Sequence, residues 1–150
     1  MIQRKQTIYL LLALIATVVC LCLPVGRFEP QGMGSSLQLY NLWIQGDGST
    51  DLSAWPMFGL LVLSCPINLF AIFSFSNRIL QSRLCVANIL LIVAWHAVYA
   101  VLAVTCKDSA FTFHVNIAAC LPFISAILYF MARKGIQHDE KLVRAADRIR

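Results

Sequence analysis

The chain has 150 residues, 59% of them hydrophobic and only 13% charged, and it carries a net charge of +5. Soluble domains carry about 25% charged residues, so this composition argues against a water-soluble globule, which could not hide so much apolar surface. The basic residues sit between long apolar runs, not along one stripe, and that distribution argues against nucleic acid as their partner.

Residues 6–26, 52–77, 84–106 and 109–132 contain no Asp, Glu, Lys or Arg. Each run meets the roughly 20 residues needed to cross a hydrocarbon core. They predict spans over 8–24, 54–75, 84–105 and 110–132. Arg4 and Lys5 precede the first run, Arg78 and Arg83 separate the second from the third, and Arg133, Lys134, Lys141, Arg144, Arg148 and Arg150 follow the fourth. Arg27 and Lys107 alone fall in the other two loops. Because basic residues favour the cytoplasmic side, both termini are expected there. The expected fold is an all-α membrane protein: a four-helix antiparallel transmembrane bundle forming a single integral membrane domain.

Met1–Thr7 is a basic leader and Ile8–Pro24 the first span. No small-x-small cleavage site follows Pro24, which speaks against a signal peptide. Val19 and Leu21 are too bulky for the position before a lipidated Cys20 or Cys22. Residues 25–53 form the one sizeable outer loop, rich in Gly and Ser. Within it, Leu37, Leu39 and Trp43 alternate with Tyr40, Leu42 and Ile44, predicting a short strand or half of a β-hairpin over the helix ends. Tyr40, Trp43 and Trp55 suit an aromatic belt at the membrane surface.

In the second span Pro56 suits a helix start, and Pro66 is expected to kink the helix. The central turn, Phe75–Cys85, holds Arg78 and Arg83 between two apolar runs and reads as the cytoplasmic end of a helical hairpin. The link Cys106–Ser109 is so short that the third and fourth spans must be antiparallel neighbours. After Gly135, Leu142, Val143, Ala146 and Ile149 form one helical stripe in a basic amphipathic tail, 133–150, suited to the inner leaflet or a protein partner. Glu140 and Arg144 stand at i,i+4 in the favourable order.

Polar residues inside spans are functional candidates because hydrocarbon penalises them. These are Asn68, Asn88, His96, His114 and Asn116. At 1.5 Å per residue the two histidines differ in depth by roughly 7 Å, too far for an easy shared metal site. Each is expected to make an interhelical hydrogen bond. No span contains a carboxylate for a proton or cation pathway. Cys20, Cys22 and Cys106 are expected near the outer face and are the candidate thiols for redox chemistry. The sequence has no CxxC pair and no activating charge beside them. A disulfide from Cys106 to Cys20 or Cys22 remains a structural alternative. Phosphate-cradling loops, the GxSxG elbow and HExxH are all missing from the sequence. No metal or cofactor is expected.

Met1-Ile-Gln-Arg-Lys-Gln-Thr-Ile-Tyr-Leu10, Asn77-Arg-Ile-Leu-Gln-Ser-Arg-Leu-Cys85 with Asn88, and Asp139-Glu-Lys-Leu-Val-Arg-Ala-Ala-Asp-Arg-Ile-Arg150 carry a resemblance. The chain resembles small four-span inner-membrane proteins of Bacteroidota, grouped as domain of unknown function four-two-nine-three. The resemblance covers essentially the whole chain, brings no catalytic residues, and implies an inner membrane with residues 25–53 periplasmic.

All three stretches are expected on the cytoplasmic side, with more polar detail than topology requires. Leader, central turn and tail are expected to meet as one platform closed by Arg–carboxylate pairs, with Arg4, Arg78, Gln81, Arg83, Glu140, Arg144, Asp147 and Arg148 docking a partner. The leading functional reading is a non-enzymatic accessory or scaffold subunit in contact with lipid and a membrane or cytoplasmic protein. A small homo-oligomeric transporter or channel comes second, and a membrane thiol redox protein third.

Overall fold

The computed structural model describes residues 3–32, 34–46, 48–74, 77–105 and 111–147, with only the backbone described for Gln3, Arg4, Ala146 and Asp147. The chain is mostly helical. Helix α1 spans Gln3–Cys22, α2 Trp55–Phe73, α3 Arg78–Thr105 and α4 Cys120–Asp147. All four are long and apolar enough to cross a membrane. They pack in a closed ring, α1 on α2, α2 on α3, α3 on α4 and α4 back on α1. Buried positions recur every three or four residues, as one inward stripe per helix requires. On α1 these are Gln6, Leu10, Ala13, Thr17 and Cys20; on α3, Gln81, Cys85, Asn88, Ile92 and Trp95.

A five-stranded antiparallel sheet covers one end of the helices, which corrects the all-α expectation. Strands β1 Gly26–Pro30, β2 Leu37–Leu39, β3 Ile44–Gln45 and β4 Thr50–Asp51 come from the 25–53 segment, and β5 Phe111–Val115 joins from the α3–α4 connection. The order is β4-β3-β2-β1-β5. The run read as one strand over 37–44 is two strands turned about Asn41, closed by Tyr40 N–H donating to the Trp43 carbonyl at 2.8 Å. Strand β1 pairs along its whole length with β5, placing Gly26 opposite Val115 and Phe28 opposite Phe113. Phe113 also lies across Gly26, where an added Cβ would come within 2.7 Å of its ring.

The fourth span therefore does not begin as a helix near residue 110. Phe111, Phe113 and Val115 alternate with Thr112 and His114, and this period of two suits a strand. A single-turn 3-10 helix, Ile117–Ala119, then leads into α4. At its other end α4 passes through Gly135 without a break, so the predicted separate tail is the last part of one 28-residue helix. Gly135 permits close packing here, since a Cβ would meet Gln6 Cγ at 3.1 Å. Pro56 opens α2, and Pro66 lies within that helix.

Two apolar clusters fill the interior. Val25, Phe28, Leu39, Met57, Leu61 and Trp95 belong to the one under the sheet. Leu10, Ala13, Ala71, Cys85, Ile92, Tyr129 and Ile136 belong to the one toward the far end.

Candidate functional site

Three buried polar groupings lie along the helix axis. The first closes the sheet end. Asn41, 1% exposed in the β2–β3 turn, reaches down between the helices. Its Nδ2 donates to the Cys20 carbonyl at 2.6 Å, and its Oδ1 accepts from Trp95 Nε1 at 3.0 Å. The Cys20 carbonyl lies in the last turn of α1, where helix geometry leaves it without a backbone partner. Tyr99 Oη donates to the Val25 carbonyl at 2.9 Å, and Asn116 Nδ2 donates to the Pro24 carbonyl at 3.2 Å. Tyr99 stacks on Trp95 with ring centroids 5.3 Å apart. Asn41 and Tyr99 thus lock irregular backbone onto α1 and α3, a role the sequence reading did not assign to either.

The second grouping lies midway, on the inward stripes. Thr17 Oγ1 donates to the Ala13 carbonyl at 2.8 Å, and Ser125 Oγ lies 3.2 Å from the same carbonyl. Asn68 Nδ2 donates to the Leu10 carbonyl at 3.1 Å, tying α2 to α1. Ser64 Oγ, Asn68 Oδ1, both polar atoms of Asn88 and Tyr129 Oη are buried without a protein partner. An orphaned buried polar atom costs about 1–3 kcal/mol. Five of them would together match the whole net stability of a domain, about 5–15 kcal/mol.

The third grouping closes the end away from the sheet. Gln6 of α1 donates through Nε2 to Asp139 Oδ2 of α4, and Asp139 is only 6% exposed. Arg78 Nη1 donates to the Asp139 backbone carbonyl at 3.1 Å. Gln81 Nε2 donates to the Ala71 carbonyl at 3.0 Å, satisfying an acceptor in the last turn of α2. Asn77 caps α3, its Oδ1 accepting from Leu80 N–H at 3.3 Å. Leader, central turn and α4 do meet here, but through amide and carbonyl partners. Among the described residues the Arg–carboxylate pair on this end is Glu140–Arg144, within α4. Arg83 is exposed on α3. Arg148 lies outside the described residues, as do the side chains of Arg4 and Asp147.

The other candidates are dispersed. His96 Nδ1 lies 2.9 Å from the Ile92 carbonyl, one turn back on its own helix, and its ring meets Trp95 edge-on; among the described residues it makes no interhelical hydrogen bond. His114 is on β5, not in a helix, and its Nε2 lies 3.5 Å from Glu29 Oε2 on the exposed face beside Arg27. Asn116 likewise sits at the exit of β5. Cys20 is buried and Cys22 exposed, both free, while Cys106 lies outside the described residues. Cys120, exposed at the start of α4, is a further free thiol at the sheet end. No group of three or more metal-ligating side chains occurs among the described residues. A hollow of about 240 Å³ opens at the sheet between Phe28, Leu37, Ile44 and Phe111. It is smaller than the roughly 300–1,000 Å³ of small-molecule sites.

No curated protein matches the chain. Residues 2–149 match the family described as Domain of unknown function (DUF4293), and with nearly its whole length covered the chain belongs to that family.

Proposed function

We propose that the chain crosses a lipid bilayer four times as an antiparallel bundle and acts there as a non-enzymatic accessory subunit, docking a partner protein on its cytoplasmic end. The membrane reading is supported by the outward surface. Leu11, Ile15, Leu63, Phe70, Leu90, Val93, Phe123 and Ile127 are all at least 46% exposed around the helices. Such a girdle far exceeds the apolar patches of soluble monomers. The end bearing Asp139 also carries Lys5, Arg78, Arg83, Lys141 and Arg144, which favours its placement in the cytoplasm.

The docking reading rests on one observation. Beyond Asp139, where the other segments join, α4 runs on for about 12 Å at 1.5 Å per residue. On that overhang Leu142 and Val143 are 50% and 46% exposed, beside exposed Lys141 and Arg144. A photo-crosslinking residue at Leu142, introduced in cells, should yield protein adducts that are missing when the same probe replaces Val93. Lipid adducts alone at Leu142 would overturn the docking reading. A reporter fused after Arg150 and active only outside the cytoplasm would overturn the topology.

Transport receives less support. Asn68, His96 and Asn116 each bond one polar atom in a different place, to the Leu10, Ile92 and Pro24 carbonyls. A thiol enzyme is supported less again, since Cys20 is buried beneath Asn41.

A further inference from the structure

The five orphaned atoms midway along the helices belong to four side chains that are all 0% exposed: Ser64, Asn68, Asn88 and Tyr129. They lie on the inward faces of α2, α3 and α4. Ser64 and Asn68 share the inward stripe of α2 with Leu61 and Ala71. Asn88 lies between Cys85 and Ile92 on that of α3. Tyr129 packs in one cluster with Ala71, Cys85 and Ile92, and the hydroxyls of Thr17 and Ser64 lie beside its own.

We propose that these side chains enclose an internal hydration site holding ordered water. The atoms define the ligand. Asn88 Nδ2 can only donate, Asn68 Oδ1 and Asn88 Oδ1 can only accept, and the two hydroxyls do either. A small anion would need donors throughout, and the two amide oxygens repel it. A cation would need oxygens throughout and a neutralising charge. None of the four side chains is a carboxylate. Water both donates and accepts, and buried waters occupy sites that offer two to four polar partners each.

Radiolytic hydroxyl footprinting of the full chain in lipid nanodiscs tests the site, because ionised bound water labels the side chain beside it. Trp95 is the internal reference: it too is 0% exposed, and its Nε1 is already bonded to Asn41. Tyr129 should label faster than Trp95 in the wild-type chain. In the Asn68→Leu, Asn88→Leu double variant, Tyr129 labelling should fall to the level of Trp95, with Trp95 itself unchanged as the sign of intact packing. Equal labelling of Tyr129 and Trp95 in the wild type would mean a dry interior and overturn the proposal. So would undiminished Tyr129 labelling in a double variant whose Trp95 stays protected. Should the variant lose its packing and expose Trp95, the wild-type comparison still decides.

Discussion

At the sheet end, Asn41 uses both halves of its amide on protein partners; midway down the helices, Asn88 uses neither on the protein. Both are asparagines, and both are almost wholly buried. The difference lies in the backbone around them. Where the chain turns and α1 ends, helix geometry leaves carbonyls such as that of Cys20 open, and a buried amide finds ready acceptors. In mid-helix nearly every carbonyl is already taken, so an inward amide must reach a neighbouring helix, as Asn68 does with one atom, or take another partner. Polar burial therefore locks the sheet end, whereas the middle keeps polar atoms without a protein partner.

The largest test of that contrast is Asn41→Leu. It orphans the Cys20 carbonyl and Trp95 Nε1 together, and should cost about 3 kcal/mol, since each orphan costs about 1–3. Thermal unfolding in detergent measures it, with Trp95 near-ultraviolet dichroism reporting the local loss. A cost no greater than that of a change at the opposite end would refute the idea of a locked sheet end. Gly26→Val comes next. Its side chain must displace the Phe113 ring from β1, and overpacking of this kind costs about 1–3 kcal/mol. Unchanged stability would show the β1–β5 contact to be slack.

At the far end, Gln6→Leu leaves Asp139 Oδ2 without its donor and should cost about 1–2 kcal/mol, less than Asn41→Leu because one partner is lost and not two. The smallest effect belongs to Glu140→Gln. The Glu140–Arg144 pair is solvent-exposed on the arginine side, and such i,i+4 pairs contribute about 0.2–0.5 kcal/mol. A larger loss would show that the overhang is ordered by this pair and not by helix continuity.

The four apolar helices were legible because uncharged runs of about 20 residues have few other uses. Pro56 at the start of α2 and the Glu140–Arg144 pair were legible as well, both depending only on local geometry. Strand β5 was not. It lies inside an uncharged run, and absence of charge outweighed the alternation of Phe111, Phe113 and Val115 with Thr112 and His114. Misreading it put His114 and Asn116 in a helix. Strand β1 was hidden for the opposite reason: Arg27, Glu29 and Pro30 read as loop, and only pairing on both sides makes the segment a strand. Gly135 looked like a helix end, yet its missing side chain serves the approach of Gln6. The site residues missed were Asn41 and Tyr129. Nothing local marks a loop asparagine as buried, and Tyr is common in apolar helices. Their inward positions follow from helix pairing, which one sequence does not state.

Helix α4 has a mechanical consequence. Its 28 residues make a rod about 42 Å long at 1.5 Å per residue, rooted through the 3-10 turn beside β5 and fastened to α1 and α3 at Asp139. A sideways pull on Leu142 and Val143 therefore bears first on Asp139, where the bonds from Gln6 and Arg78 act as the clamp on the shaft.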